Sequence, residues 1–148
     1  MCGATNACGP MGEGRALVDG EARGPVLVLD EPLSFWGGVD PETGRVIDVH
    51  HPQVGAIVTG RVLAMPSGRG SSSSSSVLVE SIHAGTGPVA IVMREPDPII
   101  ALGAIVVREL FGIRFPVVVV DEVTYRSLRN DVVVTVRAND GGAVVDPG

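Results

Sequence analysis

The segment Gly68-Arg69-Gly70-Ser71-Ser72 has the residue types and spacing best suited to chemistry in this 148-residue chain. A glycine-rich turn that leads into a helix presents backbone N–H groups with partial positive charge, which bind an anionic group. Arg69 adds a planar fork that suits a carboxylate or a phosphate. A serine hydroxyl here can act as a base only if the amides, the arginine and a nearby metal stabilise its alkoxide. The alternative is a tight turn and helix cap without chemistry. A P-loop is excluded by the spacing and the missing lysine.

The segment at residues 32–38 (PLSFWGG) places two aromatic side chains beside glycines on a loop. Such a loop is typical of a surface that packs on a ligand or on a partner subunit. Ser34, Phe35 and Trp36 are therefore candidate site or interface residues, and we expect both aromatic side chains to be exposed. The alternative is a tryptophan that anchors the loop to its own core.

The histidines and cysteines give weaker signals. His50 and His51 are adjacent, so on an extended segment their side chains point to opposite sides and make a poor metal pair. His51 is kept as a candidate for the site or its interface, with structural hydrogen bonding as the alternative. Cys2 and Cys8 lie in a Gly-rich leader without further ligands nearby, and we expect free thiols and no cofactor bound by this chain.

Composition excludes several function classes. The net charge is −6, and all eleven basic residues are arginine, which argues against a nucleic-acid partner and excludes a lysine nucleophile or Schiff base. The longest apolar run, residues 98–107, is shorter than the roughly 20 residues that a membrane span needs. The N-terminus does not match a signal peptide. We therefore expect a cytoplasmic protein with no membrane partner.

The elements that must position these residues follow from periodicity and capping. The clearest is a helix over residues 98–111, because Asp97 caps it, Pro98 suits its first position and Gly112 supplies a left-handed stop. The run of six serines at 71–76 begins a second helix that ends near Gly85, a linker being the alternative. A short helical turn is expected at 125–129. Strands are predicted at 25–29, 45–49, 55–65, 88–93, 116–120 and 132–136.

Strands that alternate with helices in the second half of the chain imply right-handed crossovers and some parallel sheet. The sequence thus predicts a single α/β domain with a layered β/β/α arrangement and mixed sheets. We expect a flexible N-terminal arm over residues 1–24, the domain over 25–140, and a C-terminal tail over 141–148.

Three segments resemble the small subunit of aconitase-X proteins, in the same order along the chain. They are PLSFWGGVDPETGRVID, HPQVGAIVTGRVLAMPSGRGSSSSS and DPIIALGAIVVRELFGIRFPVVV, within about residues 25–120. The resemblance implies a swivelling β/β/α domain and a hydro-lyase activity shared with a large subunit, which carries the iron–sulfur cluster. It also implies that Ser71 accepts the substrate proton. From the chemistry of the glycine-rich turn, we expect Arg69, Gly70 and Ser72 to bind the substrate. Ser72 and Ser73 are neighbours that could substitute for Ser71.

The family acts on small anionic hydroxy acids, and the resemblance leaves two substrates open. These are cis-3-hydroxy-L-proline, mainly bacterial, and mevalonate 5-phosphate in archaea. The absence of lysine favours a bacterial source, and hence the hydroxyproline reaction. Two rival readings are a phosphohistidine carrier that uses His50 or His51, and a non-catalytic ligand-binding or scaffold module.

Overall fold

A computed structural model describes residues 12–69, 72–140 and 142–147 of the chain. Seven strands lie within these residues: β1 (Gly12–Val18), β2 (Gly20–Val28), β3 (Val62–Met65), β4 (Ala90–Met93), β5 (Val117–Val120), β6 (Val133–Asn139) and β7 (Gly142–Pro147). The same residues form the one-turn helix α1 (Phe35–Gly38), α2 (Ser73–Ala84), α3 (Pro98–Phe111) and the short α4 (Glu122–Ser127). No helix in the described parts of the chain is long and apolar enough to cross a membrane.

The strands form one closed barrel in the order β1-β5-β4-β3-β2-β6-β7. Strands β2, β3, β4 and β5 are parallel neighbours, and the remaining pairs are antiparallel. Helices α2 and α3 connect β3 to β4 and β4 to β5, as parallel neighbours require. The predicted α/β class with strand–helix–strand units is confirmed.

Alternation along the parallel strands divides the interior into two cores. In β3, Val62 and Ala64 pack inside the barrel, whereas Leu63 and Met65 face the cluster that contains residues of α2 and α3. Successive side chains of a strand point to opposite faces, so a fully apolar strand serves both layers. The smaller side chains point into the barrel, and the larger ones fill the space beneath the helices. This is the β/β/α layering that the sequence predicts.

Both main helices begin and end close to the predicted positions. Asp97 accepts a hydrogen bond from the Ile99 amide at 2.8 Å, and Gly112 ends α3 with a φ of 67°. Helix α2 starts at Ser73 inside the serine run and ends before Gly85, whose φ is 82°. Four serines of the run, residues 73–76, are therefore helical, and the linker alternative is wrong.

The ends of the chain differ from the predicted arm and tail. Residues 12–24 form β1 and the first part of β2, and residues 142–147 form β7, which pairs with both β1 and β6. Strand β1 obtains both of its partners, β5 and β7, from segments far away in the sequence, whereas β7 pairs with the adjacent β6 as well as with β1. Residues 1–11, including Cys2 and Cys8, lie outside the described residues.

The stretch between β2 and β3 contains less strand than predicted. Residues 45–49 and 55–61 form isolated bridges, Val39 with Val46 and Arg45 with Ile57, and the continuous strand begins at Val62. These segments fold on one another and on the loop after α1, and Val39, Val46 and Val58 are buried in the same core as residues of α2 and α3. Residues 35–59 therefore form a lobe that shares the core beneath the helices.

Candidate active site

The loops that leave β2, β3, β4 and β5 all emerge at one edge of the barrel. Parallel strands place their carboxyl ends together, and ligands of α/β proteins commonly bind at this edge. The edge brings together residues 29–34, residues 66–69 with the start of α2 at Ser72, residues 94–97, and Asp121. Two segments predicted separately as sites are both found here. They are the described residues of the turn at 68–72, called the serine turn below, and the PLSFWGG loop of residues 32–38.

The start of the serine turn is packed tightly against the cap of α3. A Cβ atom built on Gly68 would overlap the Asp97 carboxylate and lie 2.9 Å from Ile100 Cγ1. Gly68 also forms a parallel bridge with Leu33 of the neighbouring loop. Glycine is thus required at this position by close approach, because any side chain would push the turn away from Asp97.

Contacts between polar groups join the serine turn and the start of α2 to the PLSFWGG loop, called the Ser34 loop below, and to the residues just before it. Ser34 Oγ lies 3.0 Å from Ser74 Oγ, and Arg69 Nη2 lies 3.9 Å from Glu31 Oε1. The Arg69 side chain is 52% exposed, and its contact with Glu31 is too long for a hydrogen bond. Its guanidinium therefore keeps donor capacity toward solvent, where an anionic ligand can reach it.

The serines of the run divide between the two faces of α2. Ser74 and Ser75 are buried, whereas Ser72 and Ser76 are exposed. Ser75 Oγ donates to the Ser72 carbonyl oxygen at 2.7 Å, and Ser72, the N-cap residue, makes no side-chain capping bond. Helix periodicity thus turns Ser72 outward at the carboxyl edge. Gly70 and Ser71, the predicted ligand-binding and base residues, lie outside the described residues.

The aromatic pair on the PLSFWGG loop divides in the same way. Phe35 is fully buried in the core beneath the helices, so the expectation that it is exposed is wrong. Trp36 is 63% exposed and points outward from the lobe. Phe35 anchors the loop in the core. Because Phe35 and Trp36 are adjacent on a short loop, only one of the two side chains can point into the core. Trp36 remains the candidate interface residue.

His51 has a structural position beside the site. It is buried, its Nδ1 accepts from the Gln53 amide at 3.0 Å, and its Nε2 lies 3.1 Å from the Glu31 carbonyl oxygen. Since Nδ1 accepts, Nε2 carries the proton and donates to Glu31. Gln53 also bonds the Asp30 amide and carboxylate, at 3.0 Å and 2.9 Å. His51 and Gln53 therefore hold the segment that brings Glu31 toward Arg69.

The family described as "Aconitase X swivel domain" matches residues 11–145 of the chain. The chain belongs to this family. It is 55% identical over 108 residues to the cis-3-hydroxy-L-proline dehydratase of Pseudomonas aeruginosa, covering 73% of this chain and 19% of that protein. It is 52% identical over 91 residues to the phosphomevalonate dehydratase small subunit of Methanothermobacter thermautotrophicus, covering 62% and 70%.

A solved structure has the same fold. The crystal structure of Thermococcus kodakaraensis aconitase X in its holo-form superposes with a TM-score of 0.76 at 38% identity, covering 90% of this chain and 95% of that one. The swivel domain described here therefore spans most of that matched chain. It spans only 19% of the length of the Pseudomonas dehydratase.

Sequence reasoning missed one polar cluster of the swivel domain, at the ends of β4 and β5. Arg94 Nη1 donates to Glu122 Oε1 at 2.8 Å and lies over the Tyr125 ring, 5.1 Å from its centroid. The hydrogen bond to Glu122 raises the pKa of Arg94 and lowers the pKa of Glu122, and burial raises the pKa of Tyr125 to about 12. A signal was present in the sequence, because Asp121 and Glu122 follow a buried strand and precede the lone tyrosine.

The cluster fixes the edge of the barrel. Tyr125 Oη donates to the Leu29 carbonyl oxygen at 3.2 Å, and the Arg94 and Glu95 amides donate to the Pro66 carbonyl oxygen. All four loops at this edge are therefore joined by hydrogen bonds, because Arg94 also donates to Glu122. The arrangement gives the serine turn a rigid support on the side away from Ser34.

The donor set of the described residues does not fit an iron–sulfur cluster. Within residues 12–69, 72–140 and 142–147, no group of three or more His, Cys, Asp and Glu side chains is close enough to share a metal ion. Iron–sulfur clusters are held by sets of thiolates, and neither cysteine of the chain falls within this part.

Proposed function

We propose that this swivel domain contributes the base to an aconitase-X-type dehydratase and works together with a larger partner, which holds the iron–sulfur cluster. The proposed reaction removes a proton from one carbon and the hydroxyl group from the next, forming a carbon–carbon double bond and water. Membership of the family and the dehydratase names of the relatives support a hydro-lyase. The role of the base and the need for the partner are our proposal.

The observation that carries the proposal is the position of the serine turn at the carboxyl edge of the barrel. It leaves the carboxyl end of β3 and leads into α2, with Asp97 behind it and the Ser34 loop beside it. Backbone amides at the start of α2 and the half-exposed Arg69 suit the carboxylate or phosphate of a small hydroxy acid. Ser71 is the proposed base, since it directly precedes the exposed Ser72 at the start of the helix.

The arrangement suits proton removal in a closed cleft. A base carried on a small domain reaches the substrate only when that domain closes on its partner, which excludes water at the same time. The Arg69 guanidinium and the helix amides either favour an alkoxide on the nearby serine or hold the anionic group of the substrate. Chemistry would then require both parts of the enzyme.

The test is turnover by the reconstituted complex with Ser71→Ala, Ser72→Ala and Ser73→Ala in parallel. We expect Ser71→Ala to reduce kcat by about 10²–10⁴-fold, with assembly and thermal unfolding unchanged. Full activity of Ser71→Ala with loss in Ser72→Ala would move the base by one residue. If all three variants retain activity, the base lies on the partner and the proposal is wrong.

Cis-3-hydroxy-L-proline is the first candidate substrate, since the 55% identical Pseudomonas relative carries that name and the chain lacks lysine. Mevalonate 5-phosphate is the second, because the chain covers 70% of a small subunit named for it and only 19% of the Pseudomonas protein. Assay of both compounds with one preparation of the complex separates the two. Activity with neither, in an assembled complex that contains its cluster, would favour a non-catalytic module.

A further inference from the structure

Ser74 is a buried hydroxyl group that the proposed chemistry does not use. It lies in the first turn of α2 and is fully buried, 3.0 Å from Ser34 Oγ. Ser34 Oγ can also donate to the Trp36 carbonyl oxygen, at 3.1 Å. Either hydroxyl can donate in the contact between Ser34 and Ser74, so Ser74, Ser34 and the Trp36 carbonyl oxygen form a hydrogen-bonded chain without a fixed direction.

The same hydroxyl touches the serine turn. Ser74 Oγ lies 3.4 Å from the Arg69 carbonyl oxygen, a longer contact than the one to Ser34. On the other side of the turn, the Ser75 amide and hydroxyl both donate to the Ser72 carbonyl oxygen. The Ser74 side chain thus contacts both the serine turn and the loop that contains Ser34.

We propose that Ser74 is a positioning residue that fixes the Ser34–Trp36 loop to the serine turn, so that the two move as one unit. The loop presents the exposed Trp36, and the turn precedes the proposed base. A partner that docks on the loop would therefore set the position of the base through this hydroxyl. The functional half of the inference rests on the proposed function, whereas the coupling of loop and turn is a property of this chain alone.

Helix α2 offers a matched control. Ser81 is also fully buried, and its hydroxyl donates at 3.0 Å to the Leu78 carbonyl oxygen of the same helix. Ser81→Ala removes a buried hydroxyl of the same helix without touching the loop or the turn. Ser76, exposed on the opposite face, controls for the loss of a serine from the run.

The first measurement is amide hydrogen exchange of the whole chain without a partner. We expect Ser74→Ala to speed exchange of residues 33–38 about fivefold, as the loss of one ordinary hydrogen bond implies. Ser81→Ala and Ser76→Ala should leave these amides unchanged. Ser34→Ala should have the same effect as Ser74→Ala, and the double variant should add little to either, because both remove one interaction. Unchanged exchange in Ser74→Ala, or equal effects of Ser74→Ala and Ser81→Ala, would overturn the coupling.

The second measurement is turnover by the assembled enzyme. We expect Ser74→Ala to lower kcat by about tenfold or more while KM changes by less than about twofold, because the base is misplaced and not removed. Ser81→Ala should keep the wild-type kcat. Wild-type kcat in Ser74→Ala would overturn the positioning role. If Ser74→Ala does not fold, Ser34→Ala, on the loop, carries both tests. A wild-type complex without dehydratase activity would refute the proposed function, whereas hydrogen exchange would still decide the coupling.

Discussion

Asp97 contacts both the start of α3 and the serine turn. Its carboxylate accepts from the Ile99 amide at 2.8 Å and from the Ile100 amide at 3.4 Å, which caps α3, and it also closes the space behind Gly68. One residue thereby couples the start of a helix to the position of the serine turn. The sequence indicates the cap, but not the contact with the turn.

We expect Asp97→Ala to lower the free energy of unfolding by about 1 kcal/mol, the usual value of a lost N-cap. Asp97→Asn keeps an oxygen that can cap, so it should cost less. Urea unfolding of the purified chain measures both. Equal losses in the two variants would show that charge, and not capping, is what Asp97 contributes.

Tyr125 should lose its phenolic proton at a higher pH than an ordinary tyrosine. Burial raises its pKa from 10.0 to about 12, with the Arg94 charge opposing this shift. Because the folded pKa exceeds the unfolded one, the folded state retains its proton longer. The resulting stability is fully present below pH 10.0 and is lost as the pH rises toward about 12.

Phenolate absorbance during an alkaline titration gives a direct reading, since the chain has one tyrosine. We expect the midpoint of this titration near pH 12 in the folded chain and near pH 10.0 in denaturant. Tyr125→Phe should abolish the signal and remove the hydrogen bond to Leu29. A folded-state midpoint equal to the denatured one would mean that the ring is more hydrated than the structure indicates.

At the scale of elements, the lobe of residues 35–59 exposes apolar side chains on one face. Val46 and Val58 are buried, whereas their neighbours Ile47 and Ile57 are exposed, so alternation turns these two outward together. The Ile47 amide donates to the carbonyl oxygen of Gly38, two residues after Trp36. We propose that this face is where the larger partner docks.

Trp36→Ala should weaken assembly with that partner by about 2 kcal/mol or more if Trp36 is an interface hot spot. Its thermal unfolding should hardly change, because the side chain is 63% exposed and contributes little to the core. Leu110→Ala, at 66% exposure on α3, is the matched control and should assemble normally. Binding measured by calorimetry decides the point, and equal affinities of wild type and Trp36→Ala would exclude Trp36 from the interface.

At the scale of the whole molecule, β7 closes the barrel. Val145 is buried against the interior and pairs with Gly12 and Val136, whereas Val144 lies on the outer face between Glu13 and Arg137. Closure removes the free edges that β1 and β6 would otherwise expose. The stability of the domain should therefore depend on one face of a segment that sequence reasoning treated as tail.

We expect Val145→Thr to destabilise the chain by about 1–3 kcal/mol, because it buries a hydroxyl among aliphatic side chains. Val144→Thr makes the same chemical change on the outer face and should stay within about 0.5 kcal/mol of wild type. Chemical unfolding of both variants tests the pair. Similar effects at the two positions would indicate that β7 does not close the barrel in solution.

The sequence by itself determined the features that depend on local chemistry. The cap Asp97, the left-handed stops Gly85 and Gly112, and the apolar strands of the second half establish two crossover units and a parallel sheet. The glycine-rich turn before the serine run could also be identified as a candidate site from the sequence. Its ability to bind an anion depends only on residues that are adjacent in the chain. The family resemblance rests on these same segments.

Tertiary structure decided what depends on partners distant in sequence. Strand β1 pairs with β5 and β7, which lie about 100 or more residues later in the chain, so no local pattern indicates its partners, and its pairing with β7 closes the barrel. Burial of Phe35 with exposure of Trp36, and the meeting of Ser34 with Ser74, follow from packing of the lobe against α2. Sequence fixes which groups a segment offers, whereas the fold decides which of them meet, because apolar burial and barrel closure are satisfied only by the whole chain.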